Sequence, residues 1–434
     1  MAMKQSHFLA AAIIWTLGLA VLSAQAPGQT KGLLHPSLIR NHPAIGYASQ
    51  PVDNAITQLQ DKLRRGEVTL ESSGGPSGYL ESVLQALNVP VESQVLVFSK
   101  TSFQASRINP TNPRAIYFND DVSVGWVRTG PVLEFVAHDP RQGAIFYTLD
   151  QHPDGIPTFE RNDTCVMCHA SDATHNVPGM FVGSVFPGVD GTTMYGPAYT
   201  TDHRSPFDLR WGGWFVTGTH QATRHMGNAV ATDPGDLAAM ITPQTVHVTS
   251  LDGRFEPTGY LSPYSDITAL LVLEHEAQML NLITRVGWEA RVGAEEAGRP
   301  LSVAVAELVD YLLFVDEAPL PGPITGPAGF ASVFGAAGPR DSQGRSLRDL
   351  DLDVRLLEYP CSFLIYSAPF DALPGSAKTA IYERMWEVLS GQATDKRYAA
   401  LGAADRTAIV EILRETKADL PASWTGRALT ADRR

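Results

Sequence analysis

The chain contains few cysteines and no concentration of basic residues. Only three cysteines, at positions 165, 168 and 361, occur among 434 residues, which excludes the disulfide framework that staples small secreted domains. Lysine and arginine total 33 against 46 acidic residues, for a formal net charge of −13, and no basic run is present. Because nucleic acids and anionic membrane surfaces require concentrated positive charge, the sequence predicts neither as a partner.

Hydrophobic residues make up 44% of the chain and charged residues 18%. Disordered chains show the opposite balance, with low hydrophobicity and high charge. The composition therefore predicts a globular protein with a large buried core. The length corresponds to two or three domains, or to one large unit with insertions.

After residue 26 the chain has no apolar run long enough to cross a bilayer. Residues 1–7 carry Lys4 and no acid, residues 8–22 are apolar, and residues 23–26 (SAQA) offer small side chains in an A-x-A cleavage pattern. This pattern predicts a signal peptide at 1–26, and hence a periplasmic or secreted protein that begins near residue 27. The alternative is an uncleaved anchor, for which the apolar stretch is short.

The hydrophobic periodicity predicts an α+β fold. Residues 27–93 form a lead-in with short helices near 52–68 and 79–87. Residues 94–234 form a β-rich region, and residues 235–434 form a mainly helical region packed on it. The predicted strands are 95–98, 115–118, 123–127, 132–137 and 144–149 in an antiparallel meander, with strand pairs near 181–186 and 214–219. The predicted helices are 266–291, 300–315, 375–390 and 403–416, and 318–346 is predicted to be a loop.

A C-x-x-C-H motif, Cys165-Val166-Met167-Cys168-His169, follows the meander directly. In this motif the two thiols add across the two vinyl groups of a haem, and the adjacent histidine ligates the iron. The porphyrin holds its vinyl groups at a fixed separation, so the cysteine spacing is specific. The sequence therefore predicts one covalent haem c per chain, bound through Cys165 and Cys168, with His169 as the proximal iron ligand.

Two other chemistries use a pair of cysteines at this spacing. A zinc site would need two further ligands, which Cys361 and a histidine could supply. A redox dithiol would need a thioredoxin-like βαβ setting, whereas this motif follows antiparallel strands. The export signal favours haem, since that attachment is made after translocation. The apolar surroundings of Cys361 predict a buried, inert thiol.

The sixth iron position decides between closed and open haem chemistry. A methionine or histidine there gives an electron-transfer haem, and a vacant position admits small ligands. The candidates are Met180, Met194, Met226, His175, His203, His220, His225 and His275. Met226 is the preferred distal candidate, because its separation from His169 is similar to that between the ligands of class I cytochromes c.

The motif resembles that of the cytochrome c superfamily over its five residues. A longer resemblance, over most of the mature chain, is to a group of large exported single-haem proteins of environmental bacteria. The stretches that carry it are 113–120 (PRAIYFND), 201–206 (TDHRSP), 211–214 (WGGW) and 359–362 (YPCS). The resemblance implies that the haem region and the helical half belong together, but it implies no activity. The chain differs from small class I cytochromes, where the motif opens a compact helical domain.

Two functions follow from these features. The first is electron transfer to a redox partner protein, which needs only the haem and a docking surface. The second is a periplasmic haem oxidoreductase that acts on a small molecule at an open iron, a function that the chain length favours. A structural protein with a vestigial haem is a third possibility. Electron transfer requires the fewest assumptions and is the preferred prediction.

Overall fold

The computed structural model describes residues 40–152, 155–196 and 198–425. The predicted signal peptide, 1–26, and the start of the lead-in lie outside these residues. In the described part, a seven-stranded antiparallel sheet occupies the N-terminal half and the C-terminal half is mainly helical. The predicted α+β class is therefore confirmed.

The sheet is an antiparallel meander of six strands, and a strand from later in the chain, β9, is added at its edge. Its strand order is β6-β5-β4-β3-β2-β1-β9, and all six residues of β3 are buried because the sheet is covered on both faces. The strands are β1 (Val95–Val97), β2 (Arg114–Phe118), β3 (Val122–Val127), β4 (Val132–Asp139), β5 (Gly143–Asp150), β6 (Phe159–Arg161) and β9 (Trp214–Phe215). A separate hairpin pairs β7 (Val182–Ser184) with β8 (Tyr199–Thr201).

Helices precede the sheet and dominate the chain after residue 266. They are α1 (Ala55–Arg64), α2 (Leu80–Ala86), α3 (Val166–His169), α4 (Pro243–Val246), α5 (Ile267–Val292), α6 (Ala294–Ala297), α7 (Leu301–Leu312), α8 (Phe330–Ala336), α9 (Ala368–Asp371), α10 (Gly375–Leu389), α11 (Ala403–Thr416) and α12 (Ala422–Thr425). The loop predicted at 318–346 is wrong over α8, whose phenylalanines are buried against the core. Among the described helices, none combines the length and the apolar character needed to cross a membrane.

Helix α5 runs through the interior between the sheet and the other helices. Asp266 caps it, accepting hydrogen bonds from the backbone N–H of Thr268 at 2.8 Å and of Ala269 at 3.2 Å. Every residue from Ile267 to Glu289 is buried, so the helix has no solvent-exposed polar face. It packs against α7 and α10 on one side and against β5 and β7 on the other.

A buried group of polar side chains, here the polar junction, joins α5 to the chain on both sides of it. Arg210 forms an ion pair with Glu274 at 3.0 Å, with side-chain exposures of 2% and 0%. The His275 ring lies 2.9 Å from His203 (Nδ1 to Nδ1) and 2.7 Å from the Ser362 hydroxyl (Nε2 to Oγ). Burial lowers the pKa of His275 to about 3, and the His203–His275 pair is therefore neutral.

The neutral state of His275 predicts a specific pH dependence of stability. In the unfolded chain this histidine binds a proton below a pKa of about 6.5, whereas in the folded chain it stays neutral until about pH 3. The contribution of His275 to the free energy of unfolding is therefore complete above pH 6.5 and is lost as the pH falls from 6.5 toward 3. His275→Gln removes the titration, so the stability difference between wild type and variant should narrow by about 2 kcal/mol from pH 7 to pH 5.

Urea denaturation of both proteins at the two pH values measures this narrowing. The exposed His152→Gln variant is the matched control for the loss of a histidine. A stability difference between wild type and His275→Gln that is the same at pH 7 and pH 5 would contradict a neutral, buried His275.

Candidate functional site

The C-x-x-C-H motif forms a short helical segment at the end of the meander. After β6, the Asn162 side chain accepts a hydrogen bond from the Thr164 N–H at 3.2 Å and caps a 3-10 turn. The turn continues into α3, in which Val166 is buried. Residues three apart lie on the same side of a helix. The local structure therefore turns Val166 inward and leaves both cysteine sulfurs on one side.

Both sulfurs are free, and the segment that carries them lies at the protein surface. Cys168 is exposed and Cys165 is half-buried, and the intervening Met167 side chain is 80% exposed. Burial raises the pKa of Cys165, and the nearby Glu134 adds to the effect. Burial therefore favours the neutral thiol at Cys165, and neither sulfur is tied up in a disulfide.

The orientation of His169 leaves one ring nitrogen available as a ligand. Its Nδ1 lies 2.9 Å from the backbone oxygen of Gly179. A carbonyl oxygen can only accept, so Nδ1 carries the proton and Nε2 keeps its lone pair. The ring lies 5.0 Å from Phe146 and 5.7 Å from Phe181, centroid to centroid. Burial lowers the His169 pKa and favours the neutral imidazole that metals bind.

The loop that follows the motif folds back on His169 and is anchored to α5. The Gly179 N–H donates to the His169 carbonyl at 2.9 Å, so Gly179 bonds both the backbone and the ring of His169. The His175 ring contacts Gln278 and Arg285 of α5. This closed loop holds the ring of His169 by a hydrogen bond from Nδ1 to a backbone carbonyl, the kind of bond that metal-ligating histidines ordinarily make.

An ion pair on the sheet lies near the motif, and the sequence analysis missed it. Arg114 on β2 and Glu134 on β4 are 2.6 Å apart, on either side of β3. The guanidinium lies over Gly125, where an added Cβ would approach its Nη2 to 2.4 Å, so the absence of a side chain makes room for the pair. Both charges act on the pKa values of Cys165 and His169. The sequence feature that could have revealed this ion pair is a charged residue within each of two hydrophobic strands.

Met226, the preferred distal candidate, is buried in a small apolar cluster. It packs with Ala229, Ala231 and Met240, and its sulfur accepts a hydrogen bond from the Ser184 hydroxyl at 3.6 Å. The ring contacts described for His169 are with other residues, Phe146 and Phe181. Ligation by Met226 stays a prediction.

The two histidines nearest Met226 in sequence have both ring nitrogens engaged by the backbone. His225 bonds the Val246 carbonyl through Nε2 at 2.9 Å and accepts from the Gly227 N–H through Nδ1 at 3.0 Å. His220 bonds the same carbonyl at 3.1 Å and accepts from the Ala222 N–H at 3.2 Å. With no lone pair free, neither ring can ligate iron as it stands in this structure.

The remaining candidates are histidines that are hydrogen-bonded to other residues and methionines. His203 and His275 bond each other in the polar junction, and His175 bonds residues of α5. Met180 and Met194 are half-buried. Met180 directly follows the Gly179 that bonds His169, and Asn281 of α5 donates to its carbonyl at 2.7 Å. The least engaged ligating atoms are therefore the methionine sulfurs and the buried His203 Nε2, which has no hydrogen-bond partner among the described residues.

Cys361 lies away from the motif, in the core of the helical half. It is fully buried among residues such as Phe363 and Leu364, and burial raises the pKa of its thiol, which confirms the predicted inert cysteine. Within the described ranges, no three or more His, Cys, Asp or Glu side chains are grouped so as to hold a metal ion. The zinc alternative, which needs four such ligands, has no support from this geometry.

No protein-family model matches the chain, and neither a curated protein nor a solved structure matches it.

The position of Gly179 predicts a strong and specific sensitivity to substitution. An added Cβ would lie 1.8 Å from the Asn281 side-chain oxygen, so Gly179→Ala must displace either the Asn281 side chain or the loop that bonds His169. We expect it to lower the free energy of unfolding by about 1–3 kcal/mol. The same change should cost less in an Asn281→Ala background, because the clashing side chain is then gone.

Urea denaturation of the two single variants and the double variant gives the coupling between these positions. Gly75→Ala is the matched control, because this exposed glycine has an ordinary φ and an added Cβ would meet only the Ser73 hydroxyl, at 3.7 Å. Equal costs of Gly179→Ala in both backgrounds would show that Asn281 does not constrain this loop.

Proposed function

We propose that this chain is a mono-haem c-type cytochrome of the periplasm or the secreted fraction, and that it transfers electrons. Each thiol of Cys165 and Cys168 would add across one vinyl group: the sulfur bonds one vinyl carbon and the thiol hydrogen goes to the other, so no oxidant is consumed. His169 would ligate the iron through Nε2. The bound haem would supply a centre that gains and loses one electron.

The hydrogen bond from His169 to Gly179 is the observation that carries the proposal. It fixes the tautomer that presents Nε2, directly after two unpaired thiols at the haem spacing. Thioredoxin-like dithiol chemistry does not require a neighbouring histidine fixed in one tautomer. The bond to the Gly179 carbonyl, the flanking rings and the lowered pKa all favour a neutral imidazole that can coordinate a metal.

The surface position of the motif supports electron transfer in particular. Cys168 and Met167 are exposed, so a haem tethered there would be attached to an accessible part of the chain. A carrier needs such access, because its partner must approach the haem edge. The acidic net charge of −13 favours a redox partner protein with a basic docking surface. The export part of the proposal depends on the predicted signal peptide.

A second candidate function, oxidoreductase chemistry at an open iron, has one specific observation in its favour. Every ring nitrogen of the five histidine candidates is hydrogen-bonded except Nε2 of the buried His203. Unless that nitrogen or a methionine sulfur ligates the iron, the sixth position would be vacant and would admit a small molecule. The two functions share the same attachment site and differ only in this ligand.

Covalent attachment can be tested directly on the exported protein. Thioether bonds survive denaturation, so haem should stay on the chain through SDS electrophoresis and acid–acetone extraction. Cys165→Ala with Cys168→Ala should abolish the haem stain, and Cys361→Ala, which changes a buried thiol, should keep it. Free extraction of the wild-type haem, or one zinc ion per chain, would overturn the proposal.

The sixth ligand can be tested by spectroscopy with and without carbon monoxide. A six-coordinate carrier should be low-spin and bind carbon monoxide slowly, because the gas must displace a side chain. If Met226 is the ligand, Met226→Ala should open the iron and lower the reduction potential, since thioether ligation favours the ferrous state.

Met180→Ala and Met194→Ala are the matched controls. An unchanged spectrum in Met226→Ala, with loss of the low-spin state in Met180→Ala, would assign Met180 instead. A high-spin wild type with fast carbon monoxide binding would instead establish an open iron and favour the oxidoreductase.

A further inference from the structure

A cleft of about 620 Å³ lies between the sheet and the helical half. Its walls come from the C-terminal end of α2, the turn between β2 and β3, the middle of α5, and α8. The volume falls within the usual range for small-molecule sites. No part of the C-x-x-C-H motif lines the cleft, so the cleft is separate from the proposed haem attachment site.

One wall of the cleft is aromatic. The rings of Phe118 and Phe330 are 5.6 Å apart and those of Phe330 and Phe334 are 5.7 Å apart, centroid to centroid. All three phenylalanines line the cleft. Such a wall favours an apolar ligand body and attracts a cation through the ring faces.

A buried carboxylate, Glu276 of α5, lines the same cleft. Its residue exposure is only 4%, and among the described residues its carboxylate has no hydrogen-bond partner. Burial is the main cause that raises its pKa, and Asp120 and Asp121 add to it. Burial therefore disfavours the ionised form of Glu276, and a cation bound beside the carboxyl group would favour ionisation and pair with it.

Among the described residues that line the cleft, the one cation, Arg348, is already engaged. It forms an ion pair with Asp120, and its guanidinium lies 4.7 Å from the centre of the Phe334 ring and 4.4 Å from that of Phe363. Pairing with Asp120 cancels one of the three carboxylates. Asp121 and Glu276 then leave an excess of acidic groups in the cleft.

We propose that this cleft binds a small organic ammonium ion, with the ammonium group at Glu276 and an apolar body against Phe118, Phe330 and Phe334. The aromatic wall and the unpartnered carboxylate are complementary to the two parts of such a molecule. An anion would meet the excess of carboxylates without a free cation to receive it. For a metal ion, the described part of the chain has no suitable group of ligands.

The test is calorimetric titration of the full purified chain with 2-phenylethylammonium at pH 7. We expect saturable binding, with the neutral 2-phenylethanol and the anionic 3-phenylpropionate each weaker by about tenfold or more. Glu276→Gln keeps the shape and removes the charge, so it should reduce the affinity for the ammonium to that of the alcohol. Glu383→Gln, at an exposed position of α10, is the matched control and should bind as the wild type does.

A second variant tests the ammonium site if Glu276→Gln does not fold. Val333 lines the cleft and is 39% exposed, so Val333→Lys should place a cation at the mouth, keep the fold and abolish ammonium binding. Absence of ammonium binding to the wild type would overturn the proposal. Equal binding of the alcohol, preference for the carboxylate, or unchanged affinity in a folded Glu276→Gln or Val333→Lys variant would do so as well.

Discussion

The polar side chains along one face of the buried helix α5 bond partners inside the protein, and this constraint organises the rest of the structure. An unpaired buried polar group costs about 1–3 kcal/mol, and α5 has no solvent-exposed face to avoid that cost. Its polar residues at 274, 278, 281 and 285 recur every three or four positions and so share one face. Arg285 also pairs with Glu289 and Glu307 on the helical side. The partners from earlier in the chain are Arg210, His175, the Met180 carbonyl and again His175.

These partners all come from the chain segment that follows the C-x-x-C-H motif. The polar face of α5 therefore holds the loop that contains His175, and that loop in turn supplies the Gly179 carbonyl to His169. The orientation of a proposed iron ligand at the surface thus depends on hydrogen bonds made in the interior. This connection also explains why a β-rich region and a helical half form one structure, as they share a core.

The opposite side of α5 has a different role. Glu276 is two residues from Glu274, which places it about 200° around the helix. There no arginine or histidine is bonded to it, and the carboxylate lines the cleft beside α8. One helix therefore positions the proposed haem loop on one face and the proposed ammonium site on another. The surface motif and the cleft are physically separate features of the chain.

Local patterns determined much of the fold and the identity of the motif. The five strands of the meander and the helices α5, α7, α10 and α11 begin and end within a few residues of their predicted positions, because alternation and helical spacing act over a few residues. The cysteines and His169 are identified by spacing along the chain, which does not depend on the fold. The same holds for the predicted helices near 52–68 and 79–87, found at α1 and α2.

The identity of distant partners was decided only by the tertiary structure. Helix α8 lies in a Pro/Gly-rich segment whose composition predicts a loop, and it forms because Phe330 and Phe334 pack against the core. The pairing of β9 with β1 and the backbone bonds that engage His220 and His225 join residues far apart in sequence. Periodicity shows which residues are buried, but a hydrogen bond between remote groups depends on which surfaces meet when the whole chain packs.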